Sequence, residues 1–327
     1  MRGKADERYR QAARRWQQIE VERPDLEAAV RLQRILVRRI IDLVQLLSSD
    51  RSLVAPAASA VLRKLAAGRP FLRHEPVVIP VSALSASLVA FCTDLAEAGA
   101  GDAARRVREV LERGRIDAAS LLLASLDRRT VAIRNGATQQ GLSPDLLWLV
   151  AELAAGPIAY VLQHRVCADL DAAGHPTVVL EDWDRGDCPA CGSWPAFAEC
   201  REVAWLRCSF CGAAWRLRTD RCPYCDNAGQ TFVTAAPDLA RPRRLRLCGA
   251  CGGYLKAIDI AVAAPFELLP VEDLASSDLD LGALERGYHR PSLPETPEGP
   301  ESIPPCPGAE PADLRRTVAG GRMPPSR

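Results

Sequence analysis

Cys188-Pro189-Ala190-Cys191-Gly192, Cys208-Ser209-Phe210-Cys211-Gly212, Cys222-Pro223-Tyr224-Cys225-Asp226 and Cys248-Gly249-Ala250-Cys251-Gly252 repeat one turn four times within 64 residues. Two cysteines three positions apart on a tight turn can aim both sulfurs at one ion, and two such turns complete a tetrahedral set of four thiolates. Eight thiols at this pitch imply two metal sites. The intervals decide how the turns combine: 16 residues separate Cys191 from Cys208, 10 separate Cys211 from Cys222, and 22 separate Cys225 from Cys248. The first gap suits the hairpin of a metal ribbon and the last is still reachable. Cys188, Cys191, Cys208 and Cys211 are therefore expected on one ion, and Cys222, Cys225, Cys248 and Cys251 on a second. Glycine follows the second cysteine in three turns, where the chain must curl so that backbone N–H groups point at sulfur. In the remaining turn Asp226 is among the few residues that tolerate a left-handed backbone.

Four protein ligands per ion leave no open coordination position, which argues against hydrolytic metal catalysis. His74, His164, His175 and His289 are scattered without ligand spacing, no catalytic constellation is present, and the chain is expected not to be an enzyme. A thiolate tetrahedron accepts iron or zinc alike. Its negative charge is offset by Arg207, Arg216, Arg218, Arg221, Arg244 and Arg246, unless these form a solvated strand face. Tyr254 and Trp215 read as ribbon packing. The other four cysteines, Cys92, Cys167, Cys200 and Cys306, lack pair spacing and read as buried or incidental thiols.

The opening residues Met1 to Gln11 carry no charged-then-apolar signal region, and no long uncharged apolar run is free of proline and serine, so neither export nor membrane insertion is expected. A cytosolic setting keeps thiols reduced, which favours metal binding over disulfides. The 327 residues carry a net charge of +1, which exerts no general pull on nucleic acid or acidic lipid.

The chain reads as α+β. Residues 1–178 form an all-α domain. Its clearest helix lies between Pro24 and Leu47, where Leu32, Leu36, Ile40, Leu43 and Leu47 form one apolar stripe widened by Val37, Ile41 and Val44. Another starts at Ser143-Pro144-Asp145, with serine as N-cap and proline at the first helical position; Gly156-Pro157 is expected to break or kink it. Weaker helical patterns occur near 5–20, 53–66, 82–98, 102–112 and 116–128. From 179 the texture changes to short alternating runs between cysteine turns. Residues 179–220 read as a first rubredoxin-like ribbon, and 221–288 as a second with a C-terminal helix. Residues 289–327 hold 10 of the 25 prolines and 4 glycines in 39 positions, a composition expected to leave a disordered tail.

The knuckles also resemble those of the FdhE family of formate dehydrogenase accessory proteins. The likeness is carried by Cys188-Pro189-Ala190-Cys191-Gly192-Ser193, by Leu206-Arg207-Cys208-Ser209-Phe210-Cys211 followed by Trp215, by Cys222-Pro223-Tyr224-Cys225-Asp226, and by Cys248 to Cys251 followed by Tyr254-Leu255-Lys256. A further stretch, Asp273-Leu274-Ala275-Ser276 with Leu279-Asp280, is similar to the segment that follows the last knuckle in that family. Ser277-Asp278 and the long proline-rich tail depart from its pattern. The resemblance implies a cytoplasmic assembly factor that binds iron in rubredoxin-like ribbons, with zinc the other metal the ligands accept, and that contacts the catalytic subunit of a formate dehydrogenase before export. It leaves self-association open. Two other readings are a rubredoxin-type electron carrier and a zinc-ribbon nucleic-acid binder. The second rests on Arg241-Pro242-Arg243-Arg244-Leu245-Arg246, a run without interleaved aromatics, and no nucleic-acid partner is expected.

Overall fold

A computed structural model describes residues 2–174, 182–229, 232–235, 242–293 and 301–307. The first part is helical: α1 (Arg2–Glu22), α2 (Glu27–Ser49), α3 (Ala58–Ala66), α4 (Val81–Leu95), α5 (Gly101–Glu112), α6 (Ala118–Leu126), α7 (Thr130–Gln139) and α8 (Pro144–Ala172). The α2 stripe lies between two packings. Val30, Val37 and Ile41 meet Ala12, Trp16 and Ile19 of α1, while Ile40, Leu43, Val44 and Leu47 enter the main core.

Helix α8 is the axis of that core, in contact with α2, α4, α6 and α7. Of the expected break or kink at Gly156-Pro157 there is no break: the helix runs continuously through both residues. Residues 154–159 are all fully buried there, so packing holds the turn that proline would otherwise open. This all-round burial accounts for its hydropathy. Pro144–Ala172 and Val81–Glu112 are both long and apolar enough to cross a membrane, yet 61% of the most apolar window of the former is buried inside the fold.

Six strands follow: β1 (Phe197–Cys200), β2 (Ala204–Arg207), β3 (Ala214–Arg216), β4 (Phe232–Ala235), β5 (Arg243–Cys248) and β6 (Tyr254–Asp259). They form one sheet in the order β3-β2-β1-β6-β5-β4. Each ribbon is an antiparallel meander, and the two join through a parallel pairing of β1 with β6, registered Ala198 to Ala257 and Glu199 to Ile258. After β6 a 3-10 turn (Phe266–Leu268) leads into α9 (Leu269–Ala275) and α10 (Ser277–Leu284). Helix α9 returns to the N-terminal hairpin, where Val271 and Ala275 pack on Trp16 and Ile41. Arg15 Nε and Nη2 grip the two oxygens of Glu272 at 3.0 Å each.

Outside the packing of α1 on α2 and α9, most buried residues of the helices share one apolar cluster with the first ribbon and part of the second, running from Phe91 and Leu147 to Phe197, Trp215 and Phe266. The expected boundary near 178 lies outside the described residues. Disorder was expected from residue 289, but two pieces of that segment are docked. His289 pairs its backbone with Gly252 and Tyr254, and Trp194 Nε1 donates to Ser292 O at 2.7 Å. Residues 301–307 lie against the helices, with Ile303 buried. Composition missed this because prolines cost an extended docked strand little: they have few internal hydrogen bonds to lose and a fixed φ. The rest of the tail lies outside the described residues.

Candidate metal centres

The four knuckles share one backbone. In each, the residue after the second cysteine has positive φ: Gly192 at 72°, Gly212 at 73°, Asp226 at 55° and Gly252 at 69°. Its N–H closes onto the carbonyl of the first cysteine, at 2.8 Å for Gly192 to Cys188 and 2.9 Å for the other three. The N–H of the first cysteine donates in turn to the carbonyl five residues on, Ser193, Ala213, Asn227 or Gly253. Asp226 carries the one side chain among these four, consistent with the tolerance of aspartate for a left-handed backbone.

These turns bring the eight sulfurs together in two fours. Cys188, Cys191, Cys208 and Cys211 have their Sγ atoms within 4.8 Å of one another, as do Cys222, Cys225, Cys248 and Cys251. Across the first group Cys188 to Cys211 and Cys191 to Cys208 are each 3.5 Å; across the second, Cys222 to Cys251 is 3.8 Å and Cys225 to Cys248 is 3.7 Å. A tetrahedron of metal–sulfur bonds of about 2.3 Å has edges of about 3.8 Å, so both groups fit one four-coordinate ion. Iron and zinc make the same demand. The separations leave the choice between them open.

The two centres sit in different surroundings. All four cysteines of the first are buried, and the turn after α3 together with helix α8 forms one wall of its site. The N–H groups of Phe71 and Leu72 donate to Pro189 O and Ala190 O at 2.9 and 2.8 Å. Arg73 Nε and Nη2 donate to Cys191 O and Gly192 O. A methyl group on Gly156 of α8 would come within 3.0 Å of Phe210 O, and one on Gly212 within 2.9 Å of the Tyr160 ring. The knuckle therefore sits directly on the helix backbone, at a point where only glycine leaves room.

Its charge is met from the helical half. Arg128 is 3% exposed, pairs with Glu152, and lies over the rings of Phe210 at 4.1 Å and Trp148 at 4.9 Å. Burial opposes its positive charge, but Glu152 and, beyond it, Cys191 and Cys208 outweigh burial and hold the guanidinium above its ordinary pKa. Burial raises the thiols of Cys188 and Cys211 well above their ordinary values. At Cys191 burial is outweighed by S–H donors from the other three cysteines and by Arg128, which hold its thiol well below the ordinary value.

Four of the six arginines that the sequence offered for this task have other partners. Arg207 lies buried against Glu199 at 2.8 Å, Arg221 pairs with Asp226 at 2.7 Å, Arg244 pairs with Asp259, and Arg246 covers the Phe232 ring. Arg73 and Arg128 carried no local signal, being two arginines among 39 separated from the knuckles by more than 50 residues.

The second centre is more open. Cys225 is exposed and Cys251 half-buried. Cys225 borders a cleft of about 450 Å³ lined also by Asp184, Arg185, Trp194, Arg218 and Asp226. Its cover comes from Tyr224, whose hydroxyl donates to Tyr254 O at 2.9 Å and whose ring meets Trp194 edge-on, and from His289 and Pro291, which lie on Gly252 and Gly253. Burial pushes the Cys251 thiol up to about 11. Of the unpaired cysteines, Cys92 is fully buried, and burial pushes its thiol up to about 12, which makes it an inert core residue.

Behind this centre the motifs that follow the last knuckle converge. Lys256, fully buried on β6, reaches Asp273 Oδ1 at 2.6 Å and Asp280 Oδ2 at 2.8 Å. The Tyr254 hydroxyl donates to Asp280 Oδ1 at 2.7 Å, and Arg290 Nη2 bonds Asp273 and Asp280 at 3.0 and 2.9 Å. Tyr254 thus does more than pack. The physical signal was Lys256 itself, one of three lysines in the chain, placed in an apolar strand. Burial would raise the Asp280 carboxyl, but Lys256, Arg290 and Tyr254 outweigh burial and hold it below its ordinary value. A depressed carboxylate stabilises the fold above its unfolded pKa of about 3.9, and that contribution is lost as pH falls through the lower folded value. Asp280→Asn should cost about 3 kcal/mol at pH 7, the low end for a partner of a buried charge, read from urea unfolding, with the difference from the wild type vanishing in strong acid. An equal penalty at both pH values would show that the charge plays no part.

What the fold and its centres define is a class: a helical protein whose β half carries two cysteine tetrads on one sheet. Over 115 residues the chain is 27% identical to the FdhE homolog of Actinobacillus pleuropneumoniae serotype 3, and over 113 residues 29% identical to that of Stutzerimonas stutzeri. The Proteus mirabilis FdhE homolog is 28% identical over 115 residues. These matches take in 33–34% of this chain and 37% of each relative. The crystal structure of the FdhE protein from Pseudomonas aeruginosa shares the fold over 89% of this chain and 96% of its own, with a TM-score of 0.51 at 23% identity. No family model matches. Its knuckle region is thus similar to that of FdhE proteins, and its fold is shared with one of them.

Proposed function

We propose that this protein is a cytoplasmic accessory factor for the maturation of formate dehydrogenase, which binds the catalytic subunit before export and performs no turnover of its own. Its eight knuckle cysteines hold two ions, iron by preference, with zinc the other metal the same ligands accept. The observation that carries this reading is the pair of closed cysteine tetrads within a family fold, each with a geometry complete without a substrate atom. Such a centre shapes a surface or moves an electron; it does not activate water. In a strain lacking this protein, respiratory formate dehydrogenase activity should fall while the catalytic-subunit transcript is unchanged, and Cys→Ser variants of either tetrad should fail to restore it. Unimpaired activity in that strain would remove the reading.

One observation favours electron transfer as a second reading: Cys225 brings the second tetrad to the solvent. A reversible one-electron step in the visible spectrum of the anaerobically purified protein is the measurement that separates the two. Binding of nucleic acid is the weaker case, since Arg243, Arg244 and Arg246 are all engaged within the chain, with Ala275 O, Asp259 and Thr219 O.

A further inference from the structure

The turn between α5 and α6 and the facing side of α7 form a groove, and residues 301–306 lie in it. Gly114 ends α5 with φ at 64° and turns its carbonyl outward, where it accepts from Cys306 N at 2.7 Å. Three residues on, Asp117 N donates to Pro304 O at 2.8 Å, while the Asp117 side chain caps α6 by accepting from Ser120 N. On α7, Asn135 Nδ2 donates to Glu301 O at 2.8 Å. Ile303, 4% exposed, drops into the main core beside Gly136. A methyl group on Gly136 would stand 3.2 Å from Ile303 Cβ and 3.3 Å from Ile303 N, so the missing side chain of α7 is the floor of the groove.

All three of these hydrogen bonds use main-chain atoms of the docked segment: Glu301 O, Pro304 O and Cys306 N. Recognition by backbone with one apolar pocket is the pattern by which grooves bind extended peptides. The two prolines after Ile303 suit that pattern. They fix φ in the extended range, which lowers the entropy lost on docking, and they have no N–H to leave unpaired. The requirement is thus an aliphatic residue followed by proline in an extended strand. One buried aliphatic side chain of about 1.5–3 kcal/mol and three hydrogen bonds of about 1 kcal/mol each do little more than offset the entropy of ordering six residues, two of them prolines, which makes the segment exchangeable.

We propose that this groove is a peptide-docking site for an extended partner segment carrying an aliphatic residue followed by proline, and that residues 301–306 occupy it in cis. The test uses the full-length protein and a fluorescein-labelled synthetic peptide with the sequence of residues 301–307, read by fluorescence anisotropy. The wild type should bind it weakly, because its own segment competes. Ile303→Asp, which removes the cis anchor and lies outside every helix and strand, should bind the peptide at least tenfold more tightly. Adding Gly136→Val to Ile303→Asp should abolish that gain. If Gly136→Val disturbs the far-UV spectrum, Asn135→Ala in its place should weaken binding several-fold. A labelled peptide with aspartate in place of the isoleucine should not bind. Equal affinity of wild type and Ile303→Asp, or binding indifferent to both groove variants, would overturn the proposal.

Discussion

Cys208→Ser is expected to lower the bound metal from two ions per chain to one and to destabilise the helices together with the sheet. A structural four-thiolate ion contributes on the order of 10 kcal/mol to folding. The first tetrad lies in the same apolar cluster as α8, with Phe210 and Gly212 seated on Gly156 and Tyr160. Loss of its ion should therefore lower the melting temperature of the far-UV helical signal. Cys225→Ser, at the exposed tetrad, should also remove one ion but leave the helical melt nearly where it was. Elemental analysis with circular dichroism on the two variants checks both halves of this expectation. Identical helical melts in the two variants would mean that the shared core does not transmit the loss. Retention of both ions in Cys208→Ser would remove the assignment of ligands.

The second large effect is expected at Arg128, which no knuckle motif contains. Replacing it by methionine fills much of the same volume but leaves the Glu152 carboxylate buried beside the first tetrad without its partner. Removing one member of a buried pair costs about 3–5 kcal/mol. For a chain of this size that corresponds to a fall of roughly 10 °C in melting temperature. The double variant Arg128→Met, Glu152→Gln should recover most of the loss in stability. It should not recover metal retention, because the positive charge opposite Cys191 and Cys208 is still missing. Chelator competition on the single and double variants separates those two roles. Full recovery of metal retention in the double variant would confine Arg128 to a stabilising ion pair.

Much of this was legible along the chain. The α2 stripe, the proline start of α8, the six short strands and the grouping of the cysteines into two fours all follow from interactions spanning few residues. Helical and strand periods, a glycine or aspartate at positive φ, and the reach of a hairpin are local properties that need no knowledge of the remaining fold. The misreadings share the opposite origin. Gly156-Pro157 looked like a break because nothing nearby in sequence reveals that Phe210, more than 50 residues on, rests on that glycine. The tail looked disordered throughout because composition cannot show that Gly136 leaves a socket for Ile303. The strand arginines looked like counter-charges because proximity in sequence stood in for proximity in space, while Arg73 and Arg128 arrive from turns of the helical half.

By itself, then, the sequence determined the elements and the two sulfur tetrads, whose chemistry is written in turns of five residues. Only the tertiary structure decided that the two ribbons share one sheet through β1 and β6, and that one tetrad is buried against helices while the other meets solvent. It also decided that Lys256 and Asp280 close a charge cluster behind the open tetrad. Those outcomes depend on burial and on charge pairs between segments far apart in sequence. Both are set by how the elements pack together, and local periodicity carries no record of that packing.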